Sequence, residues 1–192
     1  AALNLGRSQD SMNYYVANPG SASFFNSPSG IAVLHIPANG VEFSTVVIIS
    51  EEFRENDLGK TGIYFLTQVV KYQPENLVLQ NAASLRFDIS EYLTPEISEW
   101  QYKIMKIEGY ELTEITTWFS RGTVSALINE FGSFAVFVDP NAQMAIPDNF
   151  ALKQNFPNPF NPVTTIPVAI PYEAMLEMKI YNIFTLIKQV SY

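Results

Sequence analysis

Hydrophobic residues fall in short runs from residue 31 onward, and turn residues separate those runs. Ile31–Ile36 is closed by Pro37-Ala38-Asn39-Gly40, and Val41–Ser50 contains the continuous apolar run Val46-Val47-Ile48-Ile49. Further runs are Gly62–Tyr72, Leu77–Leu79, Ser84–Ile89, Gln101–Lys106, Thr116–Phe119, Thr123–Ile128 and Phe134–Val138. Such runs, spaced roughly 10 residues apart, predict an all-β chain folded as an antiparallel sandwich. Val, Ile, Thr, Tyr and Phe dominate them, and these residues fit a pleated, half-buried surface. The one helix-like stretch is 91–100, where Pro95 limits it to a turn or two.

The two ends of the chain read differently. Residues 1–29 are rich in Ser, Asn, Gly and Ala, with Tyr14, Tyr15, Phe24 and Phe25 embedded and one strand expected at 14–17. The expectation is an extended arm without a partner in its own domain. Residues 30–139 form the sandwich. Seven of the 12 Pro fall between Pro140 and Pro171, which predicts a stiff linker over 140–163. Strands are then expected at 164–170, 176–183 and 186–190. Leu176, Met178 and Ile180 alternate with Glu177, Lys179 and Tyr181, a period of 2.

Composition narrows the function classes. The chain has 192 residues, 47% hydrophobic, with 14 Phe, 10 Tyr and a net charge of −8. A sequence pI near 4.6 lacks the basic face that nucleic acid requires. With no Cys there is no thiol enzyme, disulfide scaffold or cysteine-ligated metal. No apolar run reaches 18 residues, so no membrane-spanning helix is encoded. The start, Ala1-Ala2-Leu3-Asn4-Leu5, has neither a basic nor a long apolar stretch, and reads equally as a mature chain freed of its leader or as a fragment.

Candidate chemistry is sparse, and no cofactor is expected. His35, the only His, lies in an apolar run and reads as a packed or edge imidazole. The loop from Glu51 to Asp57 carries carboxylates but not the ligand order of a calcium loop. Glu96/Glu99 and Glu108/Glu111/Glu114 read as exposed charge rather than as the acid and base of a glycosidase. Tyr14, Tyr15, Phe24 and Phe25, or Trp100 with Tyr102, or Trp118 with Phe119, are aromatic sets that would stack on a sugar; core or interface use is commoner.

Two resemblances add to this. The stretch Leu152-Lys-Gln-Asn155-Phe156-Pro157-Asn158-Pro159-Phe160-Asn161-Pro162-Val-Thr-Thr-Ile166, followed by Lys179-Ile180-Tyr181-Asn182, resembles the opening of the C-terminal sorting domain of type IX secretion cargo, an Ig-like fold related to one in the flagellar hook-capping protein. The match covers roughly the last 40 residues. Thr185-Leu186 stands where that family usually has Gly-Arg, and its later strands are missing, so residues 164–192 would form an incomplete Ig-like unit. Gly30–Gly40 resembles the opening of a ZU5-like sandwich, with which Val69–Leu79, Trp118 and the Phe131-Gly132-Ser133-Phe134-Ala135-Val136 ending agree. Both resemblances imply non-catalytic modules of secreted or surface bacterial proteins, and the sorting-domain likeness implies the outer-membrane secretion machinery as a partner.

The reading is a structural subunit of an extracellular or cell-surface assembly, a filament or surface layer, joined by strand addition into a homo-oligomer or polymer. Its interface residues are expected to be Tyr14, Tyr15, Phe24, Phe25, Ile166, Val168, Ile170, Met178, Ile180 and Phe184. The alternatives are an accessory and export module of a larger secreted protein, or a carbohydrate-binding module.

Overall fold

The computed structural model describes residues 11–53, 63–142, 148–152, 155, 164, 166–181 and 186–191. In chain order its strands are β1 (Met12–Ala17), β2 (Ser23–Asn26), β3 (Ala32–Ile36), β4 (Thr45–Glu52), β5 (Tyr64–Phe65), β6 (Val69–Gln73), β7 (Val78–Asp88), β8 (Tyr102–Glu108), β9 (Glu111–Glu114), β10 (Thr117–Ser120), β11 (Thr123–Glu130), β12 (Ser133–Val138), β13 (Ala151–Leu152), β14 (Val168–Ala169), β15 (Glu177–Tyr181) and β16 (Leu186–Ser191). Single 3-10 turns at Ser90–Tyr92 and Glu99–Gln101 occupy the helix-like stretch.

Two antiparallel sheets make the sandwich. One runs β1-β4-β6-β12-β8-β9, with β5 also paired to β12, and the other runs β10-β11-β7-β3-β2. Alternate side chains turn inward from each strand. From the first sheet these are Val47, Ile49, Tyr72, Ile104, Val136 and Val138; from the second, Phe25, Leu34, Ile36, Leu85, Phe87, Val124 and Ala126; all are buried. Each Val, Leu, Ile or Phe among them contributes roughly 1.5–3 kcal/mol on leaving water. β12 is buried along its whole length. The reason is a second apolar cluster on the outer side of the first sheet. Phe137, Ala135, Val69, Met105 and Ile107 lie there beneath Ile63, Phe65 and Leu112. Phe65 packs on Phe137 with ring centroids 4.1 Å apart. A strand covered on both faces reads as a continuous apolar run, as Phe134-Ala-Val-Phe-Val138 does.

Three polar ties join the sheets at their rims. Asn26 O accepts hydrogen bonds from Tyr15 Oη (3.0 Å) and Asn13 Nδ2 (3.0 Å). The Glu51 carboxylate accepts from the backbone N–H of Ser29 at 3.1 Å and from its hydroxyl at 2.6 Å. Lys106 bridges Glu108 at 2.5 Å and also pairs with Glu130, and these carboxylates raise its pKa above the usual value.

The all-β antiparallel sandwich stands as expected. The expected N-terminal arm differs over residues 12–26, while residues 1–10 lie outside the described residues. Residues 12–26 are the two edge strands β1 and β2, paired with β4 and β3. The physical reason is burial: Phe25 and Ala17 complete the core, and ladder bonds satisfy the backbone that an arm would leave to water. Two other differences are smaller. The expected runs at 77–79 and 84–89 are one strand, β7, of 11 residues. The expected linker contains β13, which pairs with β14; among the described residues of 164–170, Val168–Ala169 is the part in a strand. The C-terminal region thus shows two separate two-stranded ribbons, β13–β14 and β15–β16.

Candidate functional site

The sheet edges carry the features that a core does not explain. β1 ends the first sheet and pairs with β4 in the register Met12↔Ser50, Tyr14↔Ile48 and Val16↔Val46. Its odd residues turn inward, and Tyr15 stacks on Phe25 with centroids 4.7 Å apart and planes at 19°. Its even residues turn outward and stay in water: Met12 is 47% exposed, Tyr14 65% and Val16 53%, and neighbouring Val46 is 57% exposed. Four apolar side chains therefore form a stripe at one sheet edge, and β1 itself contains no charged residue.

The opposite edge of the same sheet is unlike it. β9 carries exposed Glu111 and Glu114, and Glu114 is held by Lys103 at 2.9 Å. Charge on an edge strand discourages pairing with another chain. In the second sheet the edges β2 and β10 have four residues each. Phe24 on β2 is exposed and stacks on His35 at 4.3 Å. His35 is buried beneath it, which with nearby Arg86 pushes its pKa below the usual value. The imidazole is a packed group, as its place in an apolar strand predicts.

The expected aromatic sets are therefore divided by the fold. Tyr15 and Phe25 point into the sandwich, whereas Tyr14 and Phe24 lie on the outer faces of different sheets. They do not make one platform. Tyr102 is buried and stacks on Phe119 at 5.8 Å, so neither Trp100 with Tyr102 nor Trp118 with Phe119 makes an exposed pair. Met12, Val16 and Val46 were not legible as edge residues. Apolar residues on both faces of β1 hide the alternation that would have marked them.

The carboxylates are spent locally or solvated. Glu51 holds the Ser27–Gly30 turn, while residues 54–57 lie outside the described residues. Glu96, Glu99, Glu108, Glu111 and Glu114 are exposed. Asp88 accepts from the Ser90 hydroxyl at 2.7 Å, which lowers its pKa. Among the described residues no group of three or more His, Cys, Asp or Glu is placed to hold a metal ion, and no helix is long and apolar enough to cross a membrane.

In the C-terminal region, Phe150, Leu152, Val168, Leu176 and Met178 line an open groove of about 320 Å³ between the two ribbons. Ile166, Val168, Ile170 and Met178 are half-buried, and Ile180 is 36% exposed. Of the motif residues Asn155, Phe156, Pro157, Asn158, Pro159, Phe160, Asn161 and Pro162, only Asn155 is described, its amide donating to Thr164 Oγ1 at 3.1 Å. Phe184 also lies outside the described residues.

No family model and no curated protein matches this chain.

Proposed function

We propose that the chain is a non-enzymatic structural subunit of an extracellular or cell-surface bacterial assembly, a filament or surface layer, and that its copies join by strand addition. The observation that carries this reading is the uncharged edge strand β1 with its outward stripe Met12, Tyr14 and Val16. A six-residue edge without charge or Pro, and with no further strand beside it among the described residues, is a template for another strand. The two-stranded ribbons of the C-terminal region add support. Such ribbons are marginal alone in water, and the groove between them is apolar and open. The likeness of residues 152–182 to a sorting domain supports export to the cell exterior, with the outer-membrane secretion machinery as the partner in transit.

Negative-stain electron microscopy of the purified full chain tests the reading. Ordered filaments or sheets are expected. Dispersed single particles at all concentrations would count against it.

A further inference from the structure

We infer that β1 pairs with β1 of a second copy, antiparallel and centred on Tyr14, so that two first sheets fuse into one continuous sheet. This rests on the assembly reading above and names one of its contacts.

The choice of edge follows from the four that the sandwich presents among the described residues. β9 carries Glu111 and Glu114. β2 and β10 have four residues each, and short edges pair weakly. β1 has six residues, none of them charged. Of the four it is the edge with both length and neutrality.

The choice of partner follows from symmetry within the strand. In an antiparallel pair, directly opposite residues point to the same face. Outward residues of β1 are even-numbered and inward residues odd-numbered. Only a two-fold axis passing through a residue keeps outward opposite outward. An axis at Tyr14 sets Tyr14 against its own copy, Met12 against Val16 of the second copy, and Asn13 against Tyr15. All three outward positions then meet an apolar residue, and no outward residue is left unmatched between 12 and 16. Such an interface is isologous and closes on itself. Electrostatics agree. The chain carries a net charge of −8, which opposes self-association in general. The acidic edge β9 lies at the far side of the sheet from β1, so this arrangement keeps Glu111 and Glu114 of the two copies apart.

The absence of native Cys makes the test clean. Three single variants of the full chain, Met12→Cys, Tyr14→Cys and Val16→Cys, are oxidised under mild conditions. Directly opposite side chains have Cβ atoms about 4.5–5.5 Å apart, close enough for a disulfide after small adjustment. Tyr14→Cys is expected to cross-link to itself. Met12→Cys and Val16→Cys are expected to cross-link efficiently only when mixed with each other. Val16→Lys, with an unchanged circular dichroism spectrum, is expected to reduce the dimer fraction at least tenfold at equal concentration. Cross-linking that is equal for all three single variants would overturn the register. Absence of the 14–14 product in material that light scattering shows to be assembled would overturn the β1 contact and leave the assembly reading standing, with another edge or another protein's strand as the partner. A monomer in light scattering would overturn both.

Discussion

Tyr15 stacks on Phe25 across the rim of the sandwich, and the Tyr15 hydroxyl donates to Asn26 O at 3.0 Å. This contact joins the edge strand of one sheet to the edge strand of the other. It makes residues 12–26 part of the fold and leaves the outer side of β1 as an edge with no further strand beside it among the described residues. Phe25→Ala removes a buried ring from the core and is expected to cost about 3–5 kcal/mol in urea unfolding. If these residues were a detached arm, the same change would leave stability within about 0.5 kcal/mol of the parent.

His35 gives a pH signature. Burial under Phe24 and, to a lesser degree, Arg86 lower its folded pKa below that of the unfolded chain. The unfolded state then binds the proton first as pH falls. The stabilisation is fully present above the unfolded value near 6.5, declines as pH falls toward the folded pKa, and levels off below it. As the single His, it gives one imidazole titration in proton NMR. A midpoint below 6.5 is expected, moving upward in Phe24→Ala, which uncovers the ring. An unchanged midpoint in that variant would contradict this account.

Tyr72 presents a different imbalance. Its ring lies 6.1 Å from both Phe131 and Phe134, and the side chain is fully buried. Its hydroxyl has no hydrogen-bond partner among the described residues. Burial and the nearby Glu51 carboxylate both raise its pKa, so it stays protonated. A buried hydroxyl without a partner costs about 1–3 kcal/mol of desolvation. Tyr72→Phe keeps the ring and is expected to raise stability by about 1 kcal/mol in denaturant titration. A loss of similar size would mean that the hydroxyl makes a contact.

Gly40 ends the turn after β3, its N–H bonded to Pro37 O at 2.9 Å. A Cβ here would lie 2.5 Å from Ile36 Cγ2 and 2.8 Å from Pro37 O. The carbonyl is backbone and cannot swing aside. Gly40→Ala is therefore expected to destabilise by about 1–3 kcal/mol, measured as a lower thermal midpoint. Gly20→Ala is a useful control. Its φ of +78° brings a backbone cost, but nothing crowds the added methyl.

The sequence made the sandwich strands legible where turn residues bounded them. Ile31–Ile36, Gln101–Lys106 and Phe134–Val138 each lie within one or two residues of β3, β8 and β12. It hid the strands whose composition belongs to another class. β2 is Ser-Phe-Phe-Asn, short and set among turn residues, and β9 is Glu-Leu-Thr-Glu, with one apolar side chain to signal burial. Both are edge strands, and an edge strand needs little apolar content of its own because its partner supplies the ladder. Of the interface candidates, Tyr14 and Phe24 lie in water, while Tyr15 and Phe25 belong to the core. One-dimensional composition could not separate them, because neighbouring side chains on a strand point to opposite faces.

Assembly of this chain with itself through its strands sets its mass in solution. Multi-angle light scattering of the full chain over a hundredfold range of concentration tests it most directly. The expected mass lies above that of the 21.6 kDa chain, rises with concentration, and falls toward that of one chain in Val16→Lys. A constant mass of 21.6 kDa throughout, identical in the parent and in Val16→Lys, would contradict it.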